Sequence, residues 1–327
     1  MRQALLAGGL GVGLGLGLAL AAASAGATTI YVSNEKGNSI TVIDGDTLEV
    51  TATVPVGQRP RGITLSHDQS KLYICTSDDN HVEVLDLETL EVVRTLPSGP
   101  DPELFVLAPS GNPLYVANED DNLVTVVDVE SGQVIAEVPV GVEPEGMGIS
   151  PDGKVLVNTS ETTSMAHFID TETYEITHNV LVDQRPRFAE FTKDGSQVWV
   201  SAEIGGTVSI IDAESKEILH KITFEVAGIR PEALQPVGVR VKSDQTVAFV
   251  ALGPSNRVAV IDARTFEVLD YLLVGQRVWQ LAFSPDERFI YSTNGVSNDI
   301  SVIDVEARRV TKSVTVGALP WGVAVRE

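Results

Sequence analysis

An apolar residue followed by aspartate recurs seven times along this chain, at Asp44, Asp86, Asp128, Asp170, Asp212, Asp262 and Asp304. Successive copies stand 42 residues apart, except for one gap of 50. Thirteen residues before each Asp sits a bulky side chain: Tyr31, Tyr73, Tyr115, Val157, Trp199, Phe249 or Tyr291. Six residues before it sits Asn38, Asn80, Asn122, Ser164, Gly206, Asn256 or Asn298. Each repeat holds four short runs of alternating apolar and polar residues, rich in Val and Ile and bounded by turn residues; in the second copy they are 62–66, 72–76, 81–87 and 92–96. Four short strands per unit of this length make one propeller blade, whereas helical repeats need a 3.6-residue period that is absent. The expectation is an all-β, seven-bladed β-propeller of four-stranded antiparallel blades.

The ends of the chain complete the ring. The repeat array opens at a second strand, residues 29–33, and finishes after a first strand, residues 321–326. The N-terminal strands are therefore expected to pair with the C-terminal strand, closing the ring and removing two exposed sheet edges. Residues 1–27 read differently: a short basic start, an uncharged Gly/Ala/Leu run, and the small-residue patterns Ala23-Ser24-Ala25 and Ala25-Gly26-Ala27. That is a secretory signal peptide, with an uncleaved anchor as the rival reading. Residues 28–327 then form a single domain. The eight extra residues of the fifth repeat fall between about Glu225 and Ala233.

Most repeated residues have structural explanations. The Asp opens an Asp-x-x-Thr/Ser turn in six of seven copies, where its carboxylate accepts backbone N–H groups. The Asn residues suit left-handed turn positions, and the aromatic residues suit packing between blades. Cys75, the sole cysteine, lies within a strand-like run and reads as a small buried hydrophobe; alone it excludes a disulfide or a paired-cysteine haem site. The net charge of −22 makes nucleic acid and anionic lipid poor partners. The five histidines form no metal-binding pair, and no nucleophile or phosphate-loop motif occurs outside the first 27 residues. A metal or cofactor is not expected.

Function in such a scaffold belongs to the rim where blades connect, because only there do the copies differ. The residues flanking the repeated proline are Arg59/Arg61, Asp101/Glu103, Glu143/Glu145, Arg185/Arg187, Gln235/Val237, Arg277/Trp279 and Leu319/Trp321. Arg277, Trp279, Trp321, Arg59 and Arg61 make one patch suited to a planar anion or a carboxylate-bearing loop. Asp101, Glu103, Glu143 and Glu145, extended by Asp78, Asp79, Glu119, Asp120 and Asp121, make another suited to a cation or a basic protein surface. Arg185 and Arg187 join the candidate partner-binding residues, as does Arg230 in the insertion. The competing reading is that these charges pair with one another across neighbouring loops.

Tyr31-Val32-Ser33-Asn34, Tyr115-Val116-Ala117-Asn118 and Tyr291-Ser292-Thr293-Asn294 resemble the signature of the YVTN family of β-propeller repeats. Residues 38–44 and 56–63 fit that family too. Seven repeats behind a signal peptide, with Arg-Pro-Glu-Ala-Leu-Gln-Pro-Val-Gly at 230–238, are similar to the propeller proteins associated with catabolism dependent on pyrroloquinoline quinone (PQQ). The resemblance implies a periplasmic protein that accompanies a quinoprotein alcohol dehydrogenase, a c-type cytochrome or a transporter component. The dehydrogenases themselves are eight-bladed with tryptophan docking motifs, which this chain lacks. The expectation is thus a monomeric, non-catalytic binding or scaffold protein taking a protein or small anion at its mouth. The alternative is an enzyme, either a lactonase-like hydrolase or a subunit of a quinoprotein complex. A structural propeller of the cell envelope is a third reading.

Overall fold

Alternating apolar strands with one turn signal every ten residues build seven four-stranded antiparallel sheets in the computed structural model, which describes residues 28–327. The first sheet has the order β28-β1-β2-β3, where β1 is Thr29–Asn34, β2 is Ser39–Asp44, β3 is Val50–Pro55 and β28 is Pro320–Arg326. The expected closure is therefore present, with Ile30 opposite Val325 and Val32 opposite Val323. The other six sheets are each made of four consecutive strands. Their inner strands are β4 (Pro60–Leu65), β8 (Pro102–Leu107), β12 (Pro144–Ile149), β16 (Pro186–Phe191), β20 (Pro236–Val241) and β24 (Val278–Phe283). Each inner strand touches the next, and β28 touches both β24 and β4, so the ring is complete around a central axis. The signal-peptide reading of residues 1–27 lies outside the described residues. Among the described residues no helix is long and apolar enough to cross a membrane.

The repeated side chains act where the pattern placed them. Asp44 Oδ1 accepts the Thr47 N–H at 2.8 Å and its hydroxyl at 3.0 Å, and Asp86 treats Thr89 in the same way. The backbone N–H of Thr47 leads the interactions that hold the Asp44 carboxyl below its usual range. The bulky second-strand residues are buried between blades: Tyr31 packs with Leu72, Ile74 and Leu85 of the following blade, and Trp199 meets the edge of Phe266 at 5.8 Å. Cys75 is fully buried, and burial pushes its thiol well up.

Around the axis, the third residue of each inner strand forms a layer of alternating size: Gly62, Leu104, Gly146, Phe188, Gly238, Gln280 and Gly322. All seven are buried. The glycines are required by close approach. A Cβ on Gly62 would lie 2.6 Å from the carbonyl oxygen of Glu103, and one on Gly238 would lie 2.7 Å from that of Trp279. Small residues let adjacent inner strands converge, and Leu104, Phe188 and Gln280 fill the space between them. This layer separates a polar mouth, built by the strand starts, from a lower chamber built by the strand ends.

Candidate functional site at the mouth

The mouth residues are held by a left-handed backbone lock. Arg59, Asp101, Glu143, Arg185, Arg277 and Leu319 all have φ between 51° and 59°. Such a conformation costs a non-glycine residue energy, and the preceding blade supplies compensation. The side-chain oxygens of Asn38, Asn80, Asn122, Asn256 and Asn298 accept the backbone N–H of Arg59, Asp101, Glu143, Arg277 and Leu319, at 2.8–3.1 Å. These asparagines have φ of 45–60° themselves, as their place in the repeat leads one to expect. The strained residue then turns its side chain over the axis, while two residues later Arg61, Glu103, Glu145, Arg187, Val237, Trp279 and Trp321 begin the inner strands.

A third ring, absent from the proline-flanking positions, completes the site. Nine residues before each repeated Asp, just past the second strand, stand Glu35, Glu119, Glu161 and Glu203 in four of the blades. Glu119 alone among them is in the acidic patch expected from sequence. The common register of the four was the signal available for the others.

The guanidiniums of the mouth are almost entirely taken up by these carboxylates. Arg59 lies 2.9 Å from Asp101, 2.6 Å from Glu103 and 3.1 Å from Asp78. Arg61 pairs with Glu103 and lies 3.4 Å from Glu35. Arg187 pairs with Glu161 and lies 2.7 Å from Glu145, while Arg185 reaches Glu161 at 2.7 Å and Glu203 at 3.3 Å. Arg277 reaches Glu203 at 2.8 Å and lies 4.1 Å from the centre of the Trp279 ring. Burial opposes charge on Arg61, but Glu103, Glu35 and Glu145 outweigh it and raise its pKa. The patch of Arg59, Arg61, Arg277, Trp279 and Trp321 is thus brought together, but as guanidiniums already neutralised from within. Trp321 is buried, with Arg61 5.7 Å from its ring centre. Arg230 stands apart, exposed on the insertion before the 3-10 turn Pro231–Ala233.

Carboxylates outnumber guanidiniums at the mouth. Glu35, Asp78, Asp101, Glu103, Glu119, Glu143, Glu145, Glu161 and Glu203 face Arg59, Arg61, Arg185, Arg187 and Arg277. The surplus lies on one side, where Glu119 and Glu143 have no cationic partner within 4 Å among the described residues. Burial, then the neighbouring Glu103 carboxylate, pushes Glu119 up to about 7. Burial and Glu103 likewise push Asp101 up to about 6. Glu145 is raised by burial, against the pull of Arg187, and hydrogen-bonds Glu161. Burial opposes charge on Glu161 too, but that hydrogen bond, with Arg187 and Arg185, lowers it, so the two carboxyls titrate as a linked pair. Ligand oxygens of Asp101, Glu103 and Glu119 lie within 4.8 Å of one another, as do those of Glu119, Glu143 and Glu161. Glu119, Glu143, Glu161, Gln184, Arg185 and Ile204 line a cavity of about 370 Å³. The expected cation-binding residues thus divide: Glu103 and Glu145 are buried in arginine pairs, whereas Glu143 faces the cavity. Asp79 serves the backbone instead, accepting the Gln58 N–H at 2.6 Å.

With this geometry in place, solved structures give a consistent fold. No protein-family profile and no curated protein matches the chain. Hydrazine synthase of Kuenenia stuttgartiensis is similar over 85% of this chain and 92% of that one, at 22% identity and a TM-score of 0.79. A functionally unknown protein from Desulfotomaculum acetoxidans superposes over 91% of this chain and 98% of its own, at 17% identity and a TM-score of 0.79. The dihydro-heme d1 dehydrogenase NirN, solved in complex with DHE, covers 90% of this chain with 74% of its own, at 16% identity and a TM-score of 0.69. At these identities the likeness is one of propeller fold.

Proposed function

We propose that this chain is a non-catalytic binding protein whose acidic mouth receives a cationic group of a partner protein. The observation that carries this reading is the uncompensated pair Glu119 and Glu143 beside a cavity, among arginines that are all engaged. A lysine suits the place: its ammonium would meet both carboxylates, and its aliphatic stem would lie along Ile204, which is 58% exposed at the cavity edge. Val142 and Val296 are exposed on the same rim and extend an apolar border for the partner. A small anion, the other ligand weighed from sequence, finds fewer free donors here. The residues resembling the YVTN repeat and the PQQ-associated propellers support choosing that partner among quinoprotein dehydrogenases, c-type cytochromes and transporter components. The signal-like residues 1–27 support export to the periplasm.

The test is biolayer interferometry of immobilised protein against a lysine-rich peptide and its fully acetylated form. The reading expects binding to the first only, weakened by salt, and by about tenfold in Glu119→Gln/Glu143→Gln. Equal binding of both peptides, or no change in the double variant, overturns it. The enzymatic alternative draws on the two carboxylate trios at the mouth. Stoichiometric metal in the purified protein together with lactone hydrolysis would favour it.

A further inference from the structure

A second cavity, of about 420 Å³, occupies the opposite end of the axis. The last residues of β4, β8, β12, β16 and β20 form its walls, with Leu65, Val106, Met147, Phe188 and Phe191 supplying apolar surface. Buried Leu104 and Phe188 roof it, so it is separate from the mouth. One guanidinium belongs to this wall, that of Arg240. Its Nη1 donates to Glu190 Oε2 at 3.1 Å and to the Val239 carbonyl at 2.9 Å, and its carbon lies 4.7 Å from the centre of the Phe188 ring. Stacking and the ion pair hold the guanidinium plane in place.

The polar accounts of the two partners differ. Glu190 has its needs met, with Arg240 on one side and the Val241 N–H in support. Arg240 commits only Nη1: its Nε and Nη2 groups have no protein hydrogen-bond partner among the described residues and, on a side chain 26% exposed, are open to solvent and to a ligand. Those N–H groups form one edge of the guanidinium, the edge that grips a carboxylate through two parallel bonds. His67 is the only other titratable side chain lining the cavity, and it is exposed at the outer margin. The chamber therefore offers one free, solvent-accessible guanidinium edge beside apolar side chains, in a space within the size range of small-molecule sites.

We infer that the lower chamber binds a small amphipathic carboxylate, with the acid group on the Nε–Nη2 edge of Arg240 and the apolar tail against Val106, Met147 and Phe191. A cation would meet a Glu190 carboxylate already paired with Arg240, and a fully apolar guest makes no use of the free guanidinium edge.

Isothermal titration calorimetry with octanoate and 1-octanol tests this on the intact chain. Octanoate should bind once per chain, and the alcohol of equal length at least about tenfold more weakly. Glu190→Gln/Arg240→Gln keeps a neutral hydrogen bond in the wall and should lose octanoate while retaining the wild-type circular dichroism spectrum. Val106→Trp should block the chamber by volume with Arg240 intact, and Glu119→Gln at the mouth should bind octanoate as wild type does. No saturable heat with octanoate, equal affinity for the alcohol, or binding that survives both chamber variants overturns the inference.

Discussion

Arg187 and Arg230 show how position decides what one residue type is worth. Arg187 is 5% exposed between Glu145, Glu161 and Glu203, so Arg187→Met would strand buried carboxylates and cost about 3–5 kcal/mol. Arg230 is exposed on a loop, and Arg230→Ala should stay within about 0.5 kcal/mol of wild type. Urea denaturation of the two variants measures both values. Gly62→Ala is the complementary case of overpacking. Its methyl would meet the Glu103 carbonyl oxygen at 2.6 Å, with an expected loss of about 1–3 kcal/mol in the same assay. Much of this was legible in sequence: the asparagine at each left-handed turn and the aspartate at each hairpin follow from local chemistry alone. The glycines in the axial layer were not, because nothing local distinguishes Gly62 from a flexible turn glycine. Its reason is the backbone of the next blade.

Each inner strand has two tasks: it pairs within its own sheet and touches both neighbours around the axis. The strand β28 has a third, since it alone joins the two ends of the chain. Its partner β1 opens the array, and Gly322 N–H donates to the Ser33 hydroxyl at 2.8 Å across 289 residues. Deletion of residues 320–327 should therefore open the ring and expose an edge of β1, lowering the melting temperature and broadening the transition in calorimetry. A truncated protein that melts as sharply and as late as the full chain would show that closure contributes nothing. Between β19 (Ile218–Thr223) and β20, at the inserted segment, the left-handed turn itself is lost, whereas one blade earlier Ser164 replaces the asparagine and Arg185 keeps the turn without that cap. Gly206 stands where other blades have Asn or Ser, and Gln235 lacks the left-handed backbone of its counterparts. The irregularity in spacing was visible in the sequence, but its consequence for the lock was not.

Across the whole molecule, the mouth links charge to pH. Carboxyls raised above their ordinary values, such as Glu119 near 7 and Asp101 near 6, hold protons in the folded chain that they lose when unfolded. Between about pH 4.5 and 7 the native state thus binds more protons, and stability from these groups falls as pH rises. Thermal melts in that window should show the decline, and Glu119→Gln should reduce its slope. Partner binding should move the opposite way: ionisation of Glu119 strengthens the mouth's attraction for an ammonium, so the lysine-rich peptide should bind more tightly at pH 8 than at pH 5.5. A peptide affinity that is flat or falls with pH would separate the mouth's titration from recognition.

The sequence by itself determined the number of blades, the four strands in each, the turn and cap chemistry, and the rim on which the copies differ, because all of these repeat with a fixed period and depend on neighbours close along the chain. It placed Arg59, Arg61, Glu103 and Arg187 on one rim, yet it left open which of them are free. Only the tertiary structure decided that, since an ion pair between Arg59 and Glu103, or Arg277 and Glu203, joins residues from different blades. Charge that looks available on a line of text is spent when the ring closes, and what remains is the acidic side at Glu119 and Glu143 and the single guanidinium edge of Arg240 below.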